Sequence, residues 1–159
     1  MESPEDTNGF RMRVAEAGDA EAVYGLSRQL AVALGDSDPG REAVRGRLAE
    51  LVEEPRARVV VAEGGGVVKG VAVLWIKPDL AHGDTVVEVP TLVVDEDYRG
   101  YGVGRLLIEG AREIAREHGA TLIELVATRD NSSARGFYRS LGFTETDHIT
   151  LEFVGGQES

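Results

Sequence analysis

Apolar and polar positions along the chain follow two periods, one near 3.6 residues and one of two. Phe10 to Val14 alternates and predicts a short strand. Asp19 then offers a helix N-cap, and Val23, Leu26, Leu30 and Leu34 follow at helical spacing. Asp38-Pro39 predicts the start of a second helix, because proline suits the first helical position. Val44, Leu48 and Leu51 form its apolar stripe, and Pro55 lies just beyond its end. Arg58 to Glu63 and Val67 to Ile76 are β-branched runs separated by Gly64-Gly65-Gly66, which predicts a hairpin.

Thr85 to Val94 predicts another strand, interrupted by Pro90. Proline cannot donate to a ladder, so a bulge or a locally unpaired edge is expected there. Plain alternation puts Val86, Glu88, Pro90 and Leu92 on one face. A helix follows with Val103, Leu107, Ala111, Ile114 and His118 on one side, closed by Gly119. Leu122 to Ala127 predicts a strand, Asn131 to Ser140 a short helix, and Phe143 to Thr146 with His148 to Phe153 a final pair of strands. Only Thr85 to Ala127 reads as a βαβ unit. The early hairpin makes the sheet mixed and mostly antiparallel, with helices on its faces, an α/β (α+β) fold.

The length of 159 residues predicts one domain over 1–159, with 1–8 and 155–159 as flexible tails. Hydrophobic residues at 42% and charged residues at 28% fit a globular chain with a core of its own. Cysteine is absent, which excludes disulfide scaffolds, thiolate metal sites and cysteine nucleophiles. Three scattered histidines predict no metal site. A formal net charge of −11 repels phosphates and argues against nucleic acid as a partner. The longest strongly apolar run, Val71 to Ile76, falls far short of the ~20 residues a spanning helix needs. The acidic start, MESPEDTNGF, is unlike a signal peptide, so a cytoplasmic location is expected.

Chemistry concentrates at Arg99-Gly100-Tyr101-Gly102-Val103-Gly104-Arg105, a glycine-rich turn between strand and helix. The first amides of a helix lack internal partners and sit at the positive end of its dipole, so they hold anions. Arg99 and Arg105 add positive charge inside an acidic chain. The glycine spacing fits neither the dinucleotide fingerprint nor the Walker pattern. Glu88 is a carboxylate on an otherwise apolar strand, a position that favours a paired or working group. His82, in the preceding loop, is the second candidate for a base.

The run Thr91-Leu92-Val93-Val94 followed by R-x-x-G-x-G resembles motif A of the GNAT N-acetyltransferase superfamily. Asn131-Ser132-Ser133-Ala134-Arg135-Gly136-Phe137-Tyr138, followed by Leu141-Gly142-Phe143, resembles its motif B. The resemblance extends from Arg11 to Phe153. It implies a twisted sheet of about seven strands with helices on both faces and a splayed central strand pair. By position, Tyr101, Gly102, Val103, Gly104 and Arg105 hold the pyrophosphate of coenzyme A, with Arg99 and Gly100 beside them. Backbone atoms of Leu92, Val93 and Val94 pair with the pantetheine arm as an added strand, and an N–H around Val93 polarises the thioester carbonyl. Asn131 caps the short helix and touches the coenzyme, and Tyr138 protonates the departing thiolate.

The implied activity is acetyl transfer from acetyl-CoA to a primary amine, by direct attack in a ternary complex with Glu88 as general base. No metal takes part in that reading. The acidic balance leans towards a cationic small-molecule acceptor over a protein. The competing reading is a non-catalytic acyl-CoA sensor or interaction module on the same fold. Homodimers are common in this superfamily, and no sequence feature identifies an interface.

Overall fold

The computed structural model describes residues 9–156. Its strands are β1 (Phe10–Val14), β2 (Ala57–Gly64), β3 (Val67–Asp79), β4 (Asp84–Val94) and β5 (Leu122–Leu125). Its helices are α1 (Ala20–Leu34), α2 (Arg41–Glu53), α3 (Val103–Glu117) and α4 (Ser132–Ser140). The strands form one open sheet in chain order, antiparallel except for the parallel β4–β5 pair. The chain divides into two compact units, one up to Val126 and the other from Ala127. Among the described residues no helix is long and apolar enough to cross a membrane.

Alternation in the strands feeds two cores, one on each face of the sheet. Val60, Ala62, Ala72, Leu74, Val87 and Val89 pack with the apolar stripe of α3. Val59, Val61, Val71 and Val93 pack with Val23 and Leu26 of α1 and Val44 and Leu48 of α2. The β2–β3 hairpin turns where expected, with Gly65 at φ 59° and Gly66 at φ 79°. Two positive φ values in a row are what a two-residue hairpin turn requires.

Pro90 marks a bulge. Val73 pairs with Thr91 and Trp75 with Glu88, so Leu74 alone opposes both Val89 and Pro90. The extra residue changes which side chains share a face. Val87 and Val89 point to α3 before the bulge, and Leu92 and Val94 do so after it. Glu88 therefore shares its face with Thr91 and Val93, not with Leu92 as plain alternation suggests.

Three local expectations are corrected. Asp19 occupies the N-cap position of α1, but its carboxylate makes no cap bond there. It accepts from the Glu16 amide and from both terminal nitrogens of Arg13, each at 2.8 Å. Helix α2 starts at Arg41, after Gly40 and not at Pro39, because Asp38 folds back to accept from the Gly40 amide (2.8 Å) and the Tyr24 hydroxyl (2.9 Å). Residues 143–153, expected as two strands, carry no strand assignment, so the sheet has five strands and not about seven. A strand needs a ladder partner, and among the described residues of the smaller unit none is assigned to a strand.

Candidate active site

The turn after β4 is anchored before the glycines begin. The Asp95 amide donates to the Lys69 carbonyl (2.8 Å) and the Glu96 amide to Gln29 Oε1 (2.9 Å). Asp95 also accepts from the Asp97 amide at 3.0 Å. Lys69 lies 3.7 Å from Asp95, and its ammonium sits 4.4 Å from the centre of the Tyr98 ring. Phe10 meets that ring at 5.9 Å between ring centres, nearly edge-on. From this base the chain turns through Gly100 (φ 84°) and Gly102 (φ 85°), both left-handed. Residues with a Cβ rarely adopt that conformation.

Helix α3 begins at Val103, and the first donor to reach back into it is Leu106, whose amide bonds to the Gly102 carbonyl at 3.0 Å. The amides of Val103, Gly104 and Arg105 come ahead of that bond, at the positive end of the helix. The Tyr101 amide is engaged differently: it donates to the Tyr98 carbonyl at 3.4 Å. Arg99 and Arg105 are exposed on either side of the turn.

Strand β4 offers an edge next to this helix end. Strand β5 pairs with it only over Val86–Val89. Beyond that point, within the larger unit, no described strand lies along the same edge. The bond from the Asp95 amide to the Lys69 carbonyl extends the Val94–Gly70 register by one pair. Antiparallel pairs alternate between bonded and non-bonded. Thr91 and Val93 therefore turn their N–H and C=O to β3, while Leu92 and Val94 turn theirs to the other edge. Sequence reasoning centred the oxyanion donor on Val93; the register leaves the amides of Leu92 and Val94 facing outward.

Glu88 lies on the α1/α2 face opposite Trp75 in register, and Lys77 Nζ donates to its Oε2 at 2.8 Å. The pairing raises the pKa of Lys77. Sequence reasoning missed this lysine, since only the β3–β4 register brings it near. His82 sits at the tip of the β3–β4 hairpin, with Nδ1 2.6 Å from Asp79 Oδ2. That bond raises the His82 pKa and holds Asp79 below its ordinary value. The imidazole is thus biased towards its charged form, which is the wrong form for a base. The hairpin also brings Asp84 close to this pair. Asp84 Oδ2 accepts from the Thr121 hydroxyl at 2.6 Å, while its Oδ1 is buried without a hydrogen-bond partner among the described residues.

Asn131 and Tyr138 belong to the smaller unit. Asn131 Oδ1 accepts from the Ala134 amide at 3.0 Å and caps α4. Tyr138 packs between Phe137 (5.3 Å) and Phe143 (5.8 Å), ring centre to ring centre. Burial raises its pKa, so the phenol keeps its proton. Arg135 closes the same unit with a two-pronged bond to Glu145 (2.7 and 2.9 Å) and a bond to the Arg129 carbonyl (2.7 Å). This staple was not evident from sequence, because Glu145 lies in the segment expected as a strand.

The model of the acetyltransferase (GNAT) family matches residues 24–143. An N-alpha-acetyltransferase RimI of Mycobacterium tuberculosis is 33% identical over 87% of this chain and 80% of its own length. An aminoalkylphosphonate N-acetyltransferase of Salmonella typhimurium is 29% identical over 85% of each chain. Two other N-acetyltransferase relatives are matched over only 28% and 58% of their lengths. Among solved structures, an aminoglycoside N-acetyltransferase AAC(6')-Iy in complex with CoA superposes with a TM-score of 0.80 at 21% identity, covering 92% of this chain and 95% of that one. Fold, turn and sequence agree: the chain belongs to the acetyltransferase (GNAT) family.

Proposed function

We propose that this protein moves an acetyl group from acetyl-CoA to a primary amine, with both substrates bound together. One observation carries the reading: the glycine turn presents the start of α3 beside the half of β4 whose outer edge carries no strand among the described residues of the larger unit. The turn suits a pyrophosphate. Gly100 is left-handed, and a Cβ built there meets nothing within 4 Å. Helix amides and two arginines supply donors of the right sign.

When bound, acetyl-CoA supplies an activated acyl thioester. The residues of this chain then have separate tasks. Amides of Val103, Gly104 and Arg105 hold the phosphates, and Arg99 adds charge. Leu92 and Val94 pair with the pantetheine arm, and one of their N–H groups holds the carbonyl oxygen as negative charge grows on it. Glu88 takes a proton from the acceptor's ammonium, so that its nitrogen carries a lone pair. The C–N bond forms as the C–S bond breaks, and Tyr138 gives its proton to the departing sulfur. The nitrogen has two protons to lose: Glu88 takes the first before attack and passes it to solvent, and the second, released once the C–N bond has formed, restores the Tyr138 phenolate left by protonating the sulfur. A thiol near ~8.5 and a phenol near or above ~10 allow that delivery in a dry site. No cysteine exists to carry the acetyl group, which favours direct attack over a covalent relay.

One relative is named for an aminoalkylphosphonate, a small molecule, and another for an alanine of a ribosomal protein. A small-molecule acceptor is the reading favoured here. The test is calorimetry with coenzyme A on Gly102→Glu and Gly104→Glu, alongside thiol release from acetyl-CoA with a panel of amines. Each variant should lose coenzyme binding while keeping its helical signal. Unchanged affinity in both removes the turn from the site. Binding by the unmodified protein without turnover of any amine leaves the sensor reading standing.

A further inference from the structure

A small recess opens on the α1/α2 face of the sheet. Its volume is about 190 Å³. Val23 of α1, Val44 and Leu48 of α2, and Val71 and Val73 of β3 make its walls, and it reaches Thr91 of β4. Thr91 lies immediately past the bulge, on the same face as Glu88. Across the bulge Glu88 and Thr91 oppose Trp75 and Val73, two residues apart, so at ~3.3 Å per residue Glu88 stands roughly 7 Å along the strand from Thr91, and Val93 about 7 Å in the other direction. The recess thus adjoins both the proposed base and the strand half proposed to hold the thioester.

The lining contains no carboxylate. Of its polar groups, the Ser27 hydroxyl donates to the Val23 carbonyl (2.9 Å), and Arg47 pairs with Glu50. The Thr91 hydroxyl has no hydrogen-bond partner among the described residues and stands at the end nearest Glu88. A second ammonium placed in this recess would be stripped of water with no anion to meet it, which is strongly unfavourable. The volume is below the ~300–1,000 Å³ of pockets that take drug-sized ligands. The general acidity of the chain lies outside the recess and says little about what fills it.

Resting on the acetyltransfer reading above, we infer that the acceptor is a primary monoamine with a compact apolar body. The body fills the recess, Thr91 orients the amino group, and that group leaves the apolar walls on the Glu88 side.

The experiment measures kcat/KM for thiol release from acetyl-CoA with linear monoamines of three to six carbons, diamines of matched length, spermidine, and a short peptide with an apolar N-terminal residue. Each added methylene in the monoamine should raise kcat/KM about fourfold until the recess is full, the equivalent of ~0.8 kcal/mol per buried CH₂. Monoamines should exceed matched diamines at least tenfold. Ser27→Phe fills the recess and should move the optimum to shorter amines with coenzyme affinity unchanged. Ala43→Leu, at an exposed position on the rim, does the same in a milder form if the first variant fails to fold. Diamines equal to or better than monoamines, a flat dependence on chain length, or turnover of the peptide alone overturns this inference and leaves acetyl transfer intact. Coenzyme binding without thiol release for any amine overturns the acetyltransfer reading, and this inference falls with it.

Discussion

Gly70→Ala tests how the sheet sets the position of the anion site. Gly70 lies on β3 under the start of α3, and a Cβ built there comes 2.7 Å from Val103 Cγ1, 3.1 Å from Leu107 Cδ1 and 3.4 Å from the Val93 carbonyl oxygen. Carbon pairs rest at ~3.5–4.0 Å, so the contact with Val103 is short by about 1 Å. The carbonyl belongs to the ladder and yields little, which leaves the helix to move. Overpacking of this kind costs about 1–3 kcal/mol. Replacing glycine also restricts the unfolded chain, which returns ~0.4–1 kcal/mol. The net loss should be about 1–2 kcal/mol, or a fall in Tm of roughly 2–8 °C for a chain of this size. Val103 is the first residue of α3, so the same push should raise the Kd for coenzyme A about tenfold, because sub-ångström placement of donors matters at such a site. Val103→Ala removes the obstructing methyl. In the double variant the two losses should fall short of additive by at least ~1 kcal/mol. Calorimetry and thermal melts on the four proteins decide the matter. Additive losses, or a Tm and Kd unchanged in Gly70→Ala, refute the claim that this glycine seats the helix.

Three further outcomes are expected. Glu88→Gln should lower kcat/KM at neutral pH by ~10²-fold or more, with the loss shrinking at high pH where free amine is abundant; an unaltered pH–rate profile assigns proton removal elsewhere. Tyr138→Phe keeps the ring between Phe137 and Phe143, so kcat should fall ~10²–10⁴-fold with little change in Tm; a lowered Tm with full kcat makes the residue structural. His82 should titrate above its ordinary ~6.5 by NMR, and Asp79→Asn should bring it back. The hairpin contact this pair supplies is lost as pH rises through the elevated His82 value, and lost again at acid pH as Asp79 protonates below its own ordinary value.

Much of the fold is visible in the apolar periods. The β2–β3 hairpin, α1, α3 and the β4–α3–β5 unit lie within a few residues of where alternation and helical spacing put them. What the periods miss is contact between distant positions. The Arg13 guanidinium, held by Asp19 and Glu63, redirects Asp19 from capping, and no local pattern announces it. The Tyr24–Asp38 bond delays α2 by the same kind of reach. For the candidate site, the glycine turn was legible because left-handed backbone demands glycine. The outward amides of β4 were not, since which edge an N–H faces depends on the register with β3, and that register depends on the bulge.

The bulge itself was half legible, and its energetics explain the local sequence. Val87 and Val89 are buried on the α3 face, then Leu92 and Val94, so the apolar phase shifts from odd to even positions across Pro90. Val86 and Val93 are apolar as well and disguise the shift. Suppose β4 ran without a bulge. Holding Leu92 and Val94 against α3 would rotate Val87 and Val89 to the other face and drive Glu88 into the α3 core. Val87 and Val89 are 0% and 4% exposed, and removing two such side chains from the core costs about 1.5–3 kcal/mol each. Burying an unpaired carboxylate costs more again, unless it takes up a proton. Against this, the bulge sacrifices ladder pairing worth ~0.5–1.5 kcal/mol per bond, at a residue with no N–H to contribute. The bulge wins on every count. It leaves Glu88 beside Lys77 on the open face, in line with Thr91, and a base made of Glu88 therefore depends on the unpaired residue that follows it in the strand.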